Sequence, residues 1–160
     1  MLLGRPERPG PPSLRPPAPI PPYPERIISV NWQQLVEQVR YSGRYATSQE
    51  AEEVLRAVLP VLGAQVTGEE RCELAAALPA EAATPLTRAI PHPRPLAAPA
   101  FVDAVAARLD CTGPQARWAS ATVLTLLGDH LGAAVTGRLL DALPRGYALL
   151  FGRAELTAAA

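Results

Sequence analysis

The sequence has 160 residues, 48% hydrophobic but only 5% aromatic, and its 15 basic and 15 acidic side chains cancel. A core must therefore be built from Ala, Leu and Val, small residues that suit closely packed helices, which predicts an all-α fold. Residues 31–90 hold eight acidic residues and five Arg, residues 100–160 balance five against five, and neither stretch supplies the basic stripe that neutralises phosphates, so nucleic-acid binding is disfavoured.

Every basic residue is Arg, a bias expected of a GC-rich bacterial genome. The N-terminus has no basic stretch leading into an apolar run, and no segment reaches the roughly 20 apolar residues of a membrane span. A cytoplasmic protein with no membrane partner is expected.

Residues 1–26 contain ten of the 19 prolines, a composition that favours disorder or polyproline II over helix. Pro16 to Pro19 and Pro19 to Pro22 have PxxP spacing, although Arg15 is not placed as the usual flanking anchor. Val30 stands just before Asn31-Trp32, and translation from a GTG codon at Val30 would leave the segment before it untranslated. Segment 1–30 is therefore expected to lie outside the folded domain.

The first helix is predicted over Trp32 to Tyr41, with Asn31 and Gln34 as a capping box and Trp32, Leu35, Val36 and Val39 facing inward. The second opens at Thr47 with Glu50 in reciprocal position, continues to about Gln65 and buries Ala51, Val54, Leu55, Val58 and Leu62, with Pro60 kinking its last turns. Thr67-Gly68-Glu69-Glu70 reads as another capping box, opening a helix with Leu74, Ala77 and Leu78 on its apolar face. Residues 81–90 read as a short helix carrying Leu86 and Ile90, and Pro91, Pro93, Pro95 and Pro99 mark a stiff linker over 91–99.

Beyond the linker the plan returns. A helix from Phe101 to Leu109 presents Phe101, Val102 and Val105; another starts at the Thr112/Gln115 cap and ends near His130. A third spans Ala133 to Leu143, and a closing helix near Tyr147 to Phe151 precedes a frayed tail, 154–160. This is an internal repeat: at a shift of 65 positions Ala51/Ala116, Val58/Val123, Leu59/Leu124, Leu62/Leu127, Gly63/Gly128, Leu74/Leu139, Leu78/Leu143 and Pro79/Pro144 are identical without a gap. Two copies of a three-to-four-helix unit, residues 31–90 and 100–153, are expected to pack as a pseudo-twofold helical bundle.

Leu35-Val36-Glu37-Gln38-Val39, Glu50-Ala51-Glu52-Glu53-Val54-Leu55-Arg56-Ala57-Val58-Leu59, Thr67-Gly68-Glu69-Glu70 and Leu74-Ala75-Ala76-Ala77-Leu78-Pro79 resemble the bacterial domain-of-unknown-function family numbered 2267. Phe101-Val102-Asp103-Ala104-Val105 through Leu143-Pro144 resembles that family's second half, and the helix followed by Leu-Pro in both halves is the most specific feature. Pro60 and the linker around His92 depart from the family pattern. The resemblance implies an all-helical fold and carries over no catalytic residue.

The repeated residues are packing residues and caps, so no catalytic constellation, metal site or cofactor is expected. Cys72 and Cys111 are not repeat equivalents, and without a neighbouring His or Cys they form no zinc pattern. Cys111 lies before the Thr112 cap, where a helix N-terminus favours a thiolate, which makes it a candidate reactive thiol against the plainer reading of a small loop residue. Asp129 and His130 adjoin but point about 100° apart on a helix, so His130 reads as a partly buried helix-end residue.

Trp118 points away from the Ala116/Val123/Leu127 stripe, and its counterpart is Glu53, which makes it the candidate interface anchor unless another helix covers it. The acidic run Glu50, Glu52, Glu53, Glu69, Glu70 and Glu73 reads as a solvated face that could attract a basic partner. The function expected is a non-enzymatic protein-interaction or scaffolding module that binds a protein partner or itself. The alternative is a small-molecule site or enzyme in the cleft between the repeats, with His130, Arg117, Arg138 and Tyr147 as its polar groups.

Overall fold

The computed structural model describes residues 30–153. The proline-rich segment, with its PxxP spacings and the expectation about its translation, and the tail 154–160 lie outside the described residues. Among those described, eight helices and no strand are present, as the composition implied: α1 (Trp32–Gly43), α2 (Ser48–Gly63), α3 (Gly68–Ala76), α4 (Ala80–Arg88), α5 (Ala98–Leu109), α6 (Gly113–Leu131), α7 (Ala133–Ala142) and α8 (Tyr147–Leu150).

Local chemistry sets most of the boundaries. Asn31 and Gln34 form the expected reciprocal box, with Gln34 N–H donating to Asn31 Oδ1 at 2.8 Å and Asn31 N–H to Gln34 Oε1 at 3.0 Å. Thr112 and Gln115 repeat it at the start of α6. Thr47 caps α2 by accepting from Glu50 N–H, while the Glu50 carboxylate takes Ala46 N–H one residue before the cap.

Three expectations need correction. Thr67 makes no side-chain cap, because the chain enters α3 through Gly68 in the left-handed region at φ 65°. Ile90 is 84% exposed, since α4 ends at Arg88 and the extended backbone at Ala89 carries the next side chain outward. The helix expected from Phe101 begins at Ala98, with Pro99 in its first turn, where a missing N–H costs nothing. Pro60 lies inside α2, as expected, and the helix ends at Gly63.

The apolar stripes otherwise face where their spacing placed them. Trp32, Leu35, Val36 and Val39 of α1, Ala51, Val54, Leu55, Val58 and Leu62 of α2, and Ala116, Val123, Leu124 and Leu127 of α6 are buried in one core. Each fully buried Leu contributes about 1.5–3 kcal/mol relative to exposure. Helices α2 and α6 form the centre and touch each other. α1 packs on α2 and on α6, while α5 packs on α6 and on α2; α4 covers α2, α8 covers α6, and α3 meets α7.

Two repeated glycines explain close approaches. A Cβ on Gly63 would overlap the Leu86 carbonyl oxygen of α4, and one on Gly128 would come within 3.3 Å of the Phe151 ring. Leu86 and Phe151 are 65 positions apart, as Gly63 and Gly128 are, and each glycine leaves room for the segment that closes over its helix.

Segment 90–97 forms no helix and is pinned by hydrogen bonds. His92 N–H donates to Ala64 O at 2.8 Å, and Leu96 N–H donates to the buried Gln65 side chain at 2.6 Å. The Tyr147 hydroxyl donates to Leu96 O at 2.8 Å.

Candidate functional site

Trp118 sits on the outer face of α6 and is 53% exposed, as its helical position implied. Its ring is anchored: the indole N–H donates to Gly43 O, at the end of α1, at 2.9 Å. Gly43 is buried under the Tyr45 ring, which a Cβ there would overlap. Arg44 then adopts the left-handed region at φ 58°, turning the chain away from α1. Tyr41, 80% exposed, stands two residues before Gly43 on α1.

Arg40, Tyr41, Ser42, Arg44 and Tyr45 line a shallow hollow of about 540 Å³ beside this anchor. Arg40 is paired with Glu37 at 2.8 Å, and Arg44 carries no ion pair among the described residues. Glu37 also accepts from the Ser48 hydroxyl, and that bond, followed by Arg40, holds its carboxyl below the usual range. The Tyr45 phenol is pushed up to about 12, chiefly by burial.

A second concavity lies within the later half. A groove of about 650 Å³ runs between α5, the start of α6 and α8, with Pro99, Val102, Pro114 and Leu149 among its walls and Arg117 and Arg145 lining it.

The four expected pocket residues are not brought together. Arg117 alone reaches this groove. Arg138 pairs with Glu73 at 2.6 Å, joining α7 to α3. The His130 Nε2 meets Gln38 Oε1 at 2.8 Å, joining α6 to α1. Tyr147 is fully buried against Phe101, ring centroids 5.5 Å apart, and its hydroxyl is engaged by Leu96. Three of the four thus tie helices or linker together.

The described helices are assembled from the residues that carried the resemblance, and a family model described as an uncharacterized conserved protein, DUF2267, matches residues 32–150, from the first residue of α1 to the last of α8. The chain belongs to the DUF2267 family. A search of the curated proteins finds no match to it. The family description names no activity, so the chemistry of this DUF2267 chain is read from its own residues.

Cys111 is half-buried, and burial, followed by Asp110, raises its thiol pKa, the direction opposite to activation by the α6 N-terminus. Asp110 takes the left-handed C-cap of α5 at φ 55°. Among the described residues no group of three His, Cys, Asp or Glu could hold a metal ion, and no helix is long and apolar enough to cross a membrane.

The sequence reading missed Gln65, Tyr41, Arg145 and Leu149. Comparison across the repeat carries a signal for the last two, which stand opposite Ala80 and Thr84 in the first half.

Proposed function

We propose that this DUF2267 chain is a non-enzymatic protein-interaction module of the cytoplasm, built from two related helical units and docking partners, including its own copies, through the surface around Trp118. The observation that carries the reading is an aromatic side chain that is more than half exposed yet held by a hydrogen bond from its own polar atom. A side chain fixed before binding loses little further entropy when covered, the property of an interface anchor. Tyr41 and the unpaired Arg44 beside it favour a partner offering an apolar side chain next to a carboxylate.

The two units, 31–90 and 100–153 with 91–99 between them, are read as related by a pseudo-twofold axis. Supporting this, α1 packs on α6 while its counterpart α5 packs on α2, and Glu73 pairs with Arg138, its own counterpart in the repeat. A residue meeting its own equivalent is the mark of an isologous contact.

Native mass spectrometry of the full chain from its own host tests the proposal. Protein assemblies that disappear in a Trp118→Ala variant support it. A lone monomer mass, or an assembly that survives the substitution, overturns it.

A further inference from the structure

The groove between α5, α6 and α8 departs from the packing plan of the first half. At the shift of 65 positions, Arg117 stands where Glu52 stands, Leu149 where Thr84 stands, and Gly146 where Glu81 stands. Glu52 is neutralised by Arg56 at 2.7 Å, whereas Arg117 and Arg145 are exposed and carry no ion pair among the described residues. The later half has thus exchanged carboxylates and a hydroxyl for two cations and an apolar wall, around a concavity of about 650 Å³. That volume lies within the roughly 300–1,000 Å³ typical of small-molecule sites.

We propose that this groove binds a small amphipathic anion, a carboxylate bearing an apolar chain. Val102 and Leu149 receive the chain, and Arg117 and Arg145 receive the carboxylate. A planar guanidinium suits a carboxylate because it offers paired donors, and an unpaired cation beside apolar surface gains more from an anion than one already neutralised. Asp103, the carboxylate lining the same groove, opposes the ligand's charge and sets a preference for one negative group over two. Trp118 is not among the residues that line the groove, and the proposal does not rest on the Trp118 surface.

Isothermal titration calorimetry of the full chain with decanoate, butanoate, 1-decanol and inorganic phosphate tests it. Saturable one-to-one binding of decanoate is expected, at least tenfold tighter than butanoate from the added apolar chain and about tenfold tighter than 1-decanol from the charge, with phosphate silent. Arg117→Gln with Arg145→Gln should weaken decanoate about tenfold or more, and Asp103→Asn should tighten it.

Gly113 lines the groove, and a Cβ there meets nothing within 4 Å, so Gly113→Phe is expected to bring its ring to the groove without displacing neighbouring atoms at Cβ. Loss of decanoate binding in that variant, with an unchanged thermal melt, supports the site. Absence of saturation in the wild type, binding of 1-decanol or phosphate equal to decanoate, or retention of decanoate by Gly113→Phe overturns it.

Discussion

Gln65 and Tyr147 hold the two polar groups of a single residue: Leu96 gives its N–H to the Gln65 side chain at 2.6 Å, and its carbonyl receives the Tyr147 hydroxyl at 2.8 Å. Gln65 follows α2 and Tyr147 opens α8, so each half of the sequence grips the connecting strap from its own side. Gln65 is in turn oriented by donating to Val61 O at 2.8 Å. The strap is fixed by hydrogen bonds as well as by its prolines.

Removing either grip is expected to loosen the strap, with unequal cost. Gln65→Ala strands a backbone N–H and is expected to cost about 1–3 kcal/mol, whereas Tyr147→Phe keeps the buried ring and loses one hydrogen bond, about 1 kcal/mol. Urea unfolding of both single variants and the double variant measures this. A coupling above about 0.5 kcal/mol is expected, because both bonds order the same residue.

Alkaline solution is expected to destabilise the fold in a defined window. Burial raises the Tyr45 phenol from about 10 to about 12 and pushes the Tyr147 phenol up as well. The fold therefore favours the neutral phenols: this stabilisation is fully present below pH 10 and is lost as pH rises toward 12. Unfolding midpoints followed from pH 8 to 12 should fall chiefly above pH 10, with the raised Cys111 thiol adding a loss that begins near pH 9, and Tyr45→Phe should flatten part of the fall above pH 10.

The two repeated glycines are expected to answer differently to alanine. Alanine gains about 1 kcal/mol of helix propensity over glycine at either place. At Gly63 the added methyl meets backbone, the Leu86 carbonyl, which cannot move without parting α2 from α4, so a net loss of about 1–3 kcal/mol is expected. At Gly128 it meets the edge of the Phe151 ring at 3.3 Å, a side chain able to shift, so Gly128→Ala is expected to lie within about 1 kcal/mol of the parent. Thermal melts of the two variants distinguish these outcomes.

Thiol labelling separates the cysteines. Cys72 is exposed on α3, whereas Cys111 is half-buried with its thiol pKa raised. At neutral pH iodoacetamide is expected to modify Cys72 first and Cys111 severalfold more slowly, read by peptide mass spectrometry. Faster labelling of Cys111 would restore it as a reactive thiol.

What was legible in the sequence is what short-range chemistry determines. Asn31 with Gln34 and Thr112 with Gln115 are close enough along the chain to declare their helices, and the Leu and Val spacing declares the buried faces. Thr67 had the same signature, but Gly68 could take a backbone conformation that dispensed with the hydroxyl cap. The side-chain partners of His130, Arg138 and Tyr147 are Gln38, Glu73 and Leu96, all distant in sequence. No local pattern announces such pairings, so residues expected in one pocket are found as separate ties. Trp118 is the exception, because helical periodicity alone decides which face of α6 it occupies.

The Glu73–Arg138 pair has a bearing on which surfaces can recognise one another. Glu73 and Arg138 stand 65 positions apart, and under the proposed pairing of two related halves, identical residues at these positions would set like charges face to face. The observed opposite charges attract, while two copies of the first half brought together in the same way would oppose Glu to Glu, and two of the second Arg to Arg. With both side chains partly open to water the attraction itself is worth no more than about 1 kcal/mol. Its greater effect is selective, making each half the better mate for the other than for a duplicate of itself.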